Sequence, residues 1–133
     1  MNATELRIGN LVELTNIEYG TNKTPYEIDI DDFNDLYHKR IKIKPIPITP
    51  EWLERAGFSK RLINNKFYEY FIDATPPNYK NDYVIKWWDT DFDRKINFSP
   101  VLSGTIHTFP CDYIHQLQNL YFALTGKELE FNV

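Results

Sequence analysis

Lys66-Phe67-Tyr68-Glu69-Tyr70-Phe71-Ile72, a break at Pro76-Pro77-Asn78, and then Tyr83-Val84-Ile85-Lys86-Trp87-Trp88 form the stretch that decides the fold. Both runs are rich in aromatic and β-branched residues, the types that suit a pleated, half-buried surface, and a proline loop parts them. A third run includes Ile96 and Phe98 and a fourth spans Thr105 to Phe109, so an antiparallel sheet is the economical reading. Alternate residues of a strand face opposite sides. Phe67 and Phe71 therefore cannot share the face of Tyr68 and Tyr70, and Trp87 and Trp88 must part in the same way.

Upstream, Thr49-Pro50-Glu51-Trp52-Leu53-Glu54-Arg55-Ala56-Gly57-Phe58 carries an N-cap Thr, Pro at the first helical position, an early Glu and a terminating Gly followed by a hydrophobic residue. So short a helix is held only by packing Trp52, Leu53 and Phe58 onto a platform. Downstream, Asp112 to Thr125 places Ile114, Leu117, Leu120, Tyr121 and Leu124 on one face and ends at Gly126, the longest helix the sequence implies.

Toward the N-terminus, Arg7 to Leu14 reads as a Gly-Asn turn feeding a short strand with Leu11, or Leu11 and Val12, inward. Tyr26, Ile28 and Ile30 alternate with acids as in a half-buried strand, and Asp31-Asp32 then starts a helix over 31–38 with Phe33, Leu36 and Tyr37 on one face. Ile41 to Ile48 alternates strictly, but Pro45 and Pro47 confine it to an edge strand or an extended connector. The expected architecture is α+β in one domain. A β-rich N-terminal lobe occupies 1–48, and 49–133 holds an antiparallel sheet covered by two helices.

A chain of 133 residues, 42% hydrophobic and 26% charged, has the composition of a folded globular domain. Its 9 Phe, 9 Tyr and 3 Trp exceed what so small a core needs, which implies exposed rings. A net charge of −4 disfavours sequence-independent nucleic-acid binding, because there is no broad cationic field. The single cysteine, Cys111, permits no internal disulfide and fits a reducing compartment. Residues 1–10 do not read as a signal peptide and no run approaches about 18 apolar residues, so a cytoplasmic protein with no membrane partner is expected.

Chemistry-bearing patterns are sparse. Asp89-Thr90-Asp91-Phe92-Asp93 begins like a calcium loop, but Arg94 and Pro100 stand where Gly and a bidentate Glu are needed, so a solvated turn is the better reading. Asp29, Asp31, Asp32 and Asp35 are more simply a helix N-terminus than a metal site. Cys111 and His115, four apart at the last helix, have the ingredients of an activated thiol, yet a buried small hydrophobe explains the cysteine better. His38, His107 and His115 are too scattered for a metal triad and read as surface or satisfied core residues. No phosphate-cradling glycine motif or serine elbow occurs. No catalytic residue, metal ligand or cofactor follows.

Three stretches carry a resemblance: Glu5-Leu6-Arg7-Ile8-Gly9-Asn10; Lys44-Pro45-Ile46-Pro47-Ile48-Thr49-Pro50-Glu51-Trp52-Leu53; and His115-Gln116-Leu117-Gln118-Asn119-Leu120-Tyr121-Phe122-Ala123-Leu124-Thr125-Gly126-Lys127-Glu128-Leu129, together about a quarter of the chain. In combination they resemble a family of small uncharacterised proteins of Bacteroidota phages, prophages and mobile elements. The resemblance implies a bacterial cytoplasmic setting and an accessory role, and carries over no catalytic residue.

The functional expectation is a non-enzymatic interaction module that binds and modulates a host protein, for example as a defence-system inhibitor, through the exposed members of Tyr68, Tyr70, Trp87 and Trp88. Two alternatives stand beside it. One is a nucleic-acid-binding module stacking bases on the aromatic face, with Lys60, Arg61, Lys66, Lys80, Lys86, Arg94 and Lys95 nearby. The other is a small metal-dependent hydrolase built on Asp89, Asp91 or Asp93 and a histidine.

Overall fold

Two antiparallel sheets and three helices make up the computed structural model, which describes residues 5–63, 65, 67–78, 83–89, 95–100 and 107–132. The α+β class expected from sequence is the class observed. The chain divides into two compact units, one of Met1–Pro47 with Tyr113–Asn119, the other of Ile48–Asp112 with Leu120–Val133.

In the first unit, β1 (Leu11–Asn16), β2 (Asn22–Glu27) and β3 (Ile41–Lys44) form a sheet of order β2-β1-β3, and α1 (Ile30–Tyr37) connects the outer two. Val12 and Leu14 are the buried residues of β1 and Leu11 is only partly covered, so of the two residues read as inward it is Val12 that sets the phase. A register shift between Val12 and Leu14 marks a bulge against β2.

Tyr26, Ile28 and Ile30 do not share a strand. β2 ends at Glu27, Ile28 is buried, and Ile30 is 65% exposed as the first helical residue. The reason is Asp29. It caps α1 in a capping box with Asp32, whose carboxylate accepts the Asp29 amide at 2.8 Å, so the chain must leave the strand there. Asp32 is buried and also accepts the Tyr26 hydroxyl at 2.9 Å. With Asp32 and Leu36 turned inward, Tyr37 rotates off the packed face and stands 82% exposed, contrary to the helical face read from sequence.

The first resemblance stretch meets the start of the last one, residues 115–119, in this unit. Asn10, fully buried, donates from Nδ2 to Asn119 Oδ1 at 2.9 Å, and its Oδ1 accepts the Arg7 amide at 2.6 Å. Gln118 accepts the Leu11 amide at 2.8 Å and donates to the Gly9 carbonyl at 3.2 Å, while Arg7 Nε donates to Asn119 Oδ1 at 3.2 Å. Buried amides are tolerated only when their bonds are made, and here each reaches across more than 100 residues of chain to close the turn before β1.

In the second unit, α2 (Pro50–Arg55) has the boundaries its sequence signals imply. Thr49 Oγ1 accepts the Trp52 amide at 3.4 Å. Gly57 at φ 86° lets the Gly57 and Phe58 amides reach the Glu54 and Leu53 carbonyls at 3.1 and 3.0 Å, with Leu53 and Phe58 both buried. Trp52 is half-buried, edge-on to Phe131 with ring centroids 5.6 Å apart.

The second sheet runs in sequence order: β4 (Ser59–Ile63), β5 (Phe67–Asp73), β6 (Tyr83–Asp89), β7 (Lys95–Pro100) and β8 (His107–Pro110). The last four are the four strands read from sequence, although Thr105 lies outside the described residues. β4 is an addition to that reading. The last helix, α3 (Ile114–Thr125), starts two residues later than expected, and its buried set includes His115, Gln118 and Thr125 beside Ile114 and Leu117. Among the described residues no helix is long and apolar enough to cross a membrane.

Candidate functional site

Cross-strand register decides what each aromatic residue of the large sheet can do. Tyr70 lies opposite Trp87 and Ile72 opposite Ile85, so these four share a face. Tyr70 and Trp87 are 3% and 1% exposed and meet edge to face with centroids 5.9 Å apart. They are core, which removes both from the contact residues proposed from sequence. The Trp88 side chain lies outside the described residues.

Tyr68 differs. It is on the face of Tyr70 but one pair farther along, opposite Leu62 of β4, and both are exposed, at 41% and 51%. The Lys60 ammonium sits over the Tyr68 ring, 4.7 Å from its centroid. The core face therefore ends in a wet apolar corner of Leu62 and Tyr68 with a cation attached. On the opposite face Glu69 is buried, with Arg61 on its carboxylate and Lys86 4.0 Å away, and the Arg61 guanidinium covers Phe71 at 5.3 Å.

Sequence reading names Lys60 and Arg61 only as cations near the aromatic run, and misses the strand that holds them. A half-buried strand over Ser59 to Ile63 would alternate in burial, but four of the five β4 residues are exposed, so no period-2 signal marks them. The usable signal is Asn64-Asn65 before Phe67: Asn65 has φ 55°, a conformation asparagine tolerates in hairpin turns.

A separate open cavity of about 900 Å³ in the second unit is lined by Arg55, Ile72, Tyr121, Lys127, Leu129 and Phe131, among others. Its C-terminal wall is pinned where the Asn132 amide donates to the Arg55 carbonyl at 2.8 Å. Tyr121 and Lys127 also line a neighbouring hollow of about 270 Å³ with Asp73 and Thr75. Thr125 Oγ1 donates to the Tyr121 carbonyl and accepts the Lys127 amide, which fixes the turn after α3. The lining of both hollows mixes apolar, aromatic and charged residues.

Among the described residues no three His, Cys, Asp or Glu side chains gather as metal ligands. Asp89 ends β6 with its backbone opposite Tyr68, while Asp91 and Asp93 lie outside the described residues. The acidic cluster around Asp32 is the α1 capping box. Cys111 is buried, and His38 is exposed, edge-on to Tyr37 at 5.2 Å.

His115 is not the satisfied core histidine expected. It is 1% exposed, stacked at 6.0 Å on Tyr113, and neither ring nitrogen has a hydrogen-bond partner among the described residues. Burial pushes its pKa below the usual 6.5, against a smaller opposing pull from Glu5.

No protein-family model matches the chain, and no curated protein or solved structure is significantly similar to it.

Proposed function

We propose that this chain is a non-enzymatic protein-interaction module, an accessory protein of a mobile element that acts in the bacterial cytoplasm by binding and modulating a host protein, such as a component of a defence system. The observation that carries the reading is the Leu62–Tyr68 corner, where the apolar face of the five-stranded sheet continues past its buried Tyr70–Trp87 pair into solvent. A tyrosine supplies large contact area at low entropic cost, and a cation on its ring adds a charged rim. The bacterial setting rests on the resemblance of the terminal stretches.

The test is affinity purification of the tagged protein from a Bacteroidota lysate, with and without nuclease, followed by mass spectrometry. A stoichiometric host protein that survives nuclease supports the reading and identifies the target. Loss of every partner with nuclease overturns it in favour of nucleic-acid binding.

A further inference from the structure

The two sheets have four edge strands, and three carry or abut proline. β2 contains Pro25, β3 is followed at once by Pro45, and β8 ends at Pro110. Proline has no amide to donate, and placing it at an edge is a known way of refusing a further strand. β4 alone lacks it. Its five residues pair with β5 in unbroken register, and among the described residues no backbone hydrogen bond joins β4 to any other element. Its outer amides and carbonyls are a ready template for an added strand.

We propose that the outer edge of β4 receives an extended acidic segment of the partner protein as an added strand; this rests on the interaction reading above and names the chemistry of the partner. Charge selects the occupant. Lys60 and Arg61 are the charged residues of β4 and project from its opposite faces, Lys60 paired with Glu54 and Arg61 with Glu69. β4 itself is a basic strand with no acidic residue, in a chain of net charge −4. A second copy is disfavoured, because centred antiparallel pairing of β4 with itself sets Arg61 against Arg61. Two consecutive acidic residues on an incoming strand fall beside Lys60 on one face and Arg61 on the other. An apolar residue after them meets Leu62, next to Tyr68.

Fluorescence anisotropy with synthetic peptides tests this on the full chain. The probes are a labelled peptide of alternating Thr and Val around a central Glu-Glu pair, the same peptide with Lys-Lys, and the Glu-Glu peptide with alternate amides N-methylated. The Glu-Glu peptide is expected to bind saturably, the Lys-Lys peptide roughly tenfold more weakly or worse, and the N-methylated peptide not at all.

Lys60→Glu supplies a second arm. Its side chain is 43% exposed, whereas Arg61 also neutralises buried Glu69 and is left in place. The variant should narrow or invert the preference with unchanged circular dichroism. Equal binding of the N-methylated peptide, no binding of any peptide, or an unaltered preference in Lys60→Glu overturns the proposal. If the peptides fail while wild-type protein still captures a nuclease-resistant host protein, the edge assignment falls and the interaction reading stands; if both fail, the reading falls with it.

Discussion

The three-stranded sheet has its polar residues engaged in closing its own unit, whereas the five-stranded sheet leaves apolar and cationic side chains in solvent. In the first, the amides of Asn10, Gln118 and Asn119 satisfy one another and the backbone, and Asp32 is consumed by the α1 cap and Tyr26. In the second, Tyr70 and Trp87 are the buried aromatic pair among the described residues, and Tyr68, Leu62 and Lys60 continue outward along the same face. The lesson is that a distinctive motif and an available surface are different things. Gln118 and Asn119 of one recognisable stretch and Arg7, Gly9 and Asn10 of another build a largely buried lock, while the exposed corner lies in a segment with no motif.

Substitutions can break or sharpen this contrast. Trp87→Ala should cost the most, about 3–5 kcal/mol, because it empties the centre of the large sheet. That would consume much of the stability of a domain this size and show as a collapse of the denaturation midpoint. Asn10→Ala should cost about 2–3 kcal/mol by urea denaturation, since it removes the acceptor of the Arg7 amide and one donor each to the Gln118 and Asn119 oxygens. A much smaller loss would mean that the lock does not hold the first unit together.

Two pH profiles probe the same unit. Because burial lowers the folded-state pKa of His115, the unfolded chain takes up its proton first. Stability is full above pH 6.5 and is lost as the pH falls from there through the lower folded value. His115→Phe should flatten that acid limb without lowering the midpoint at neutral pH, because it removes two buried nitrogens that have no partner among the described residues.

Tyr26 acts at the other end. Burial, with the Asp32 carboxylate adjacent, raises its pKa from 10.0 to about 12, so the stability it confers is full below pH 10 and is lost as the pH rises through 12. Tyr26→Phe should abolish that alkaline loss at the cost of one hydrogen bond to Asp32, about 1 kcal/mol.

Elements with several agreeing local signals were legible in the sequence. Thr49, Pro50 and Gly57 define α2, and the aromatic runs define β5 and β6. What was not legible depended on phase or on long-range partners. The choice of Val12 over Leu11 as inward turns on a bulge and on Gln118, more than 100 positions away. Of the four residues nominated for contact, Tyr70 and Trp87 are core because their part of the face is covered, a fact no periodicity encodes. Only Tyr68 remains among those whose side chains are described, and its neighbours Leu62 and Lys60 come from a strand whose exposed residues gave no alternation.

The most direct measurement pairs stability with capture in a Leu62→Ser, Tyr68→Ser double variant compared with wild type. Both positions are exposed, so the urea midpoint should correspond to a change of only about 1 kcal/mol, while nuclease-resistant capture of the host protein should be lost. Capture at wild-type level by the folded double variant would contradict the account and move the binding surface elsewhere on the molecule.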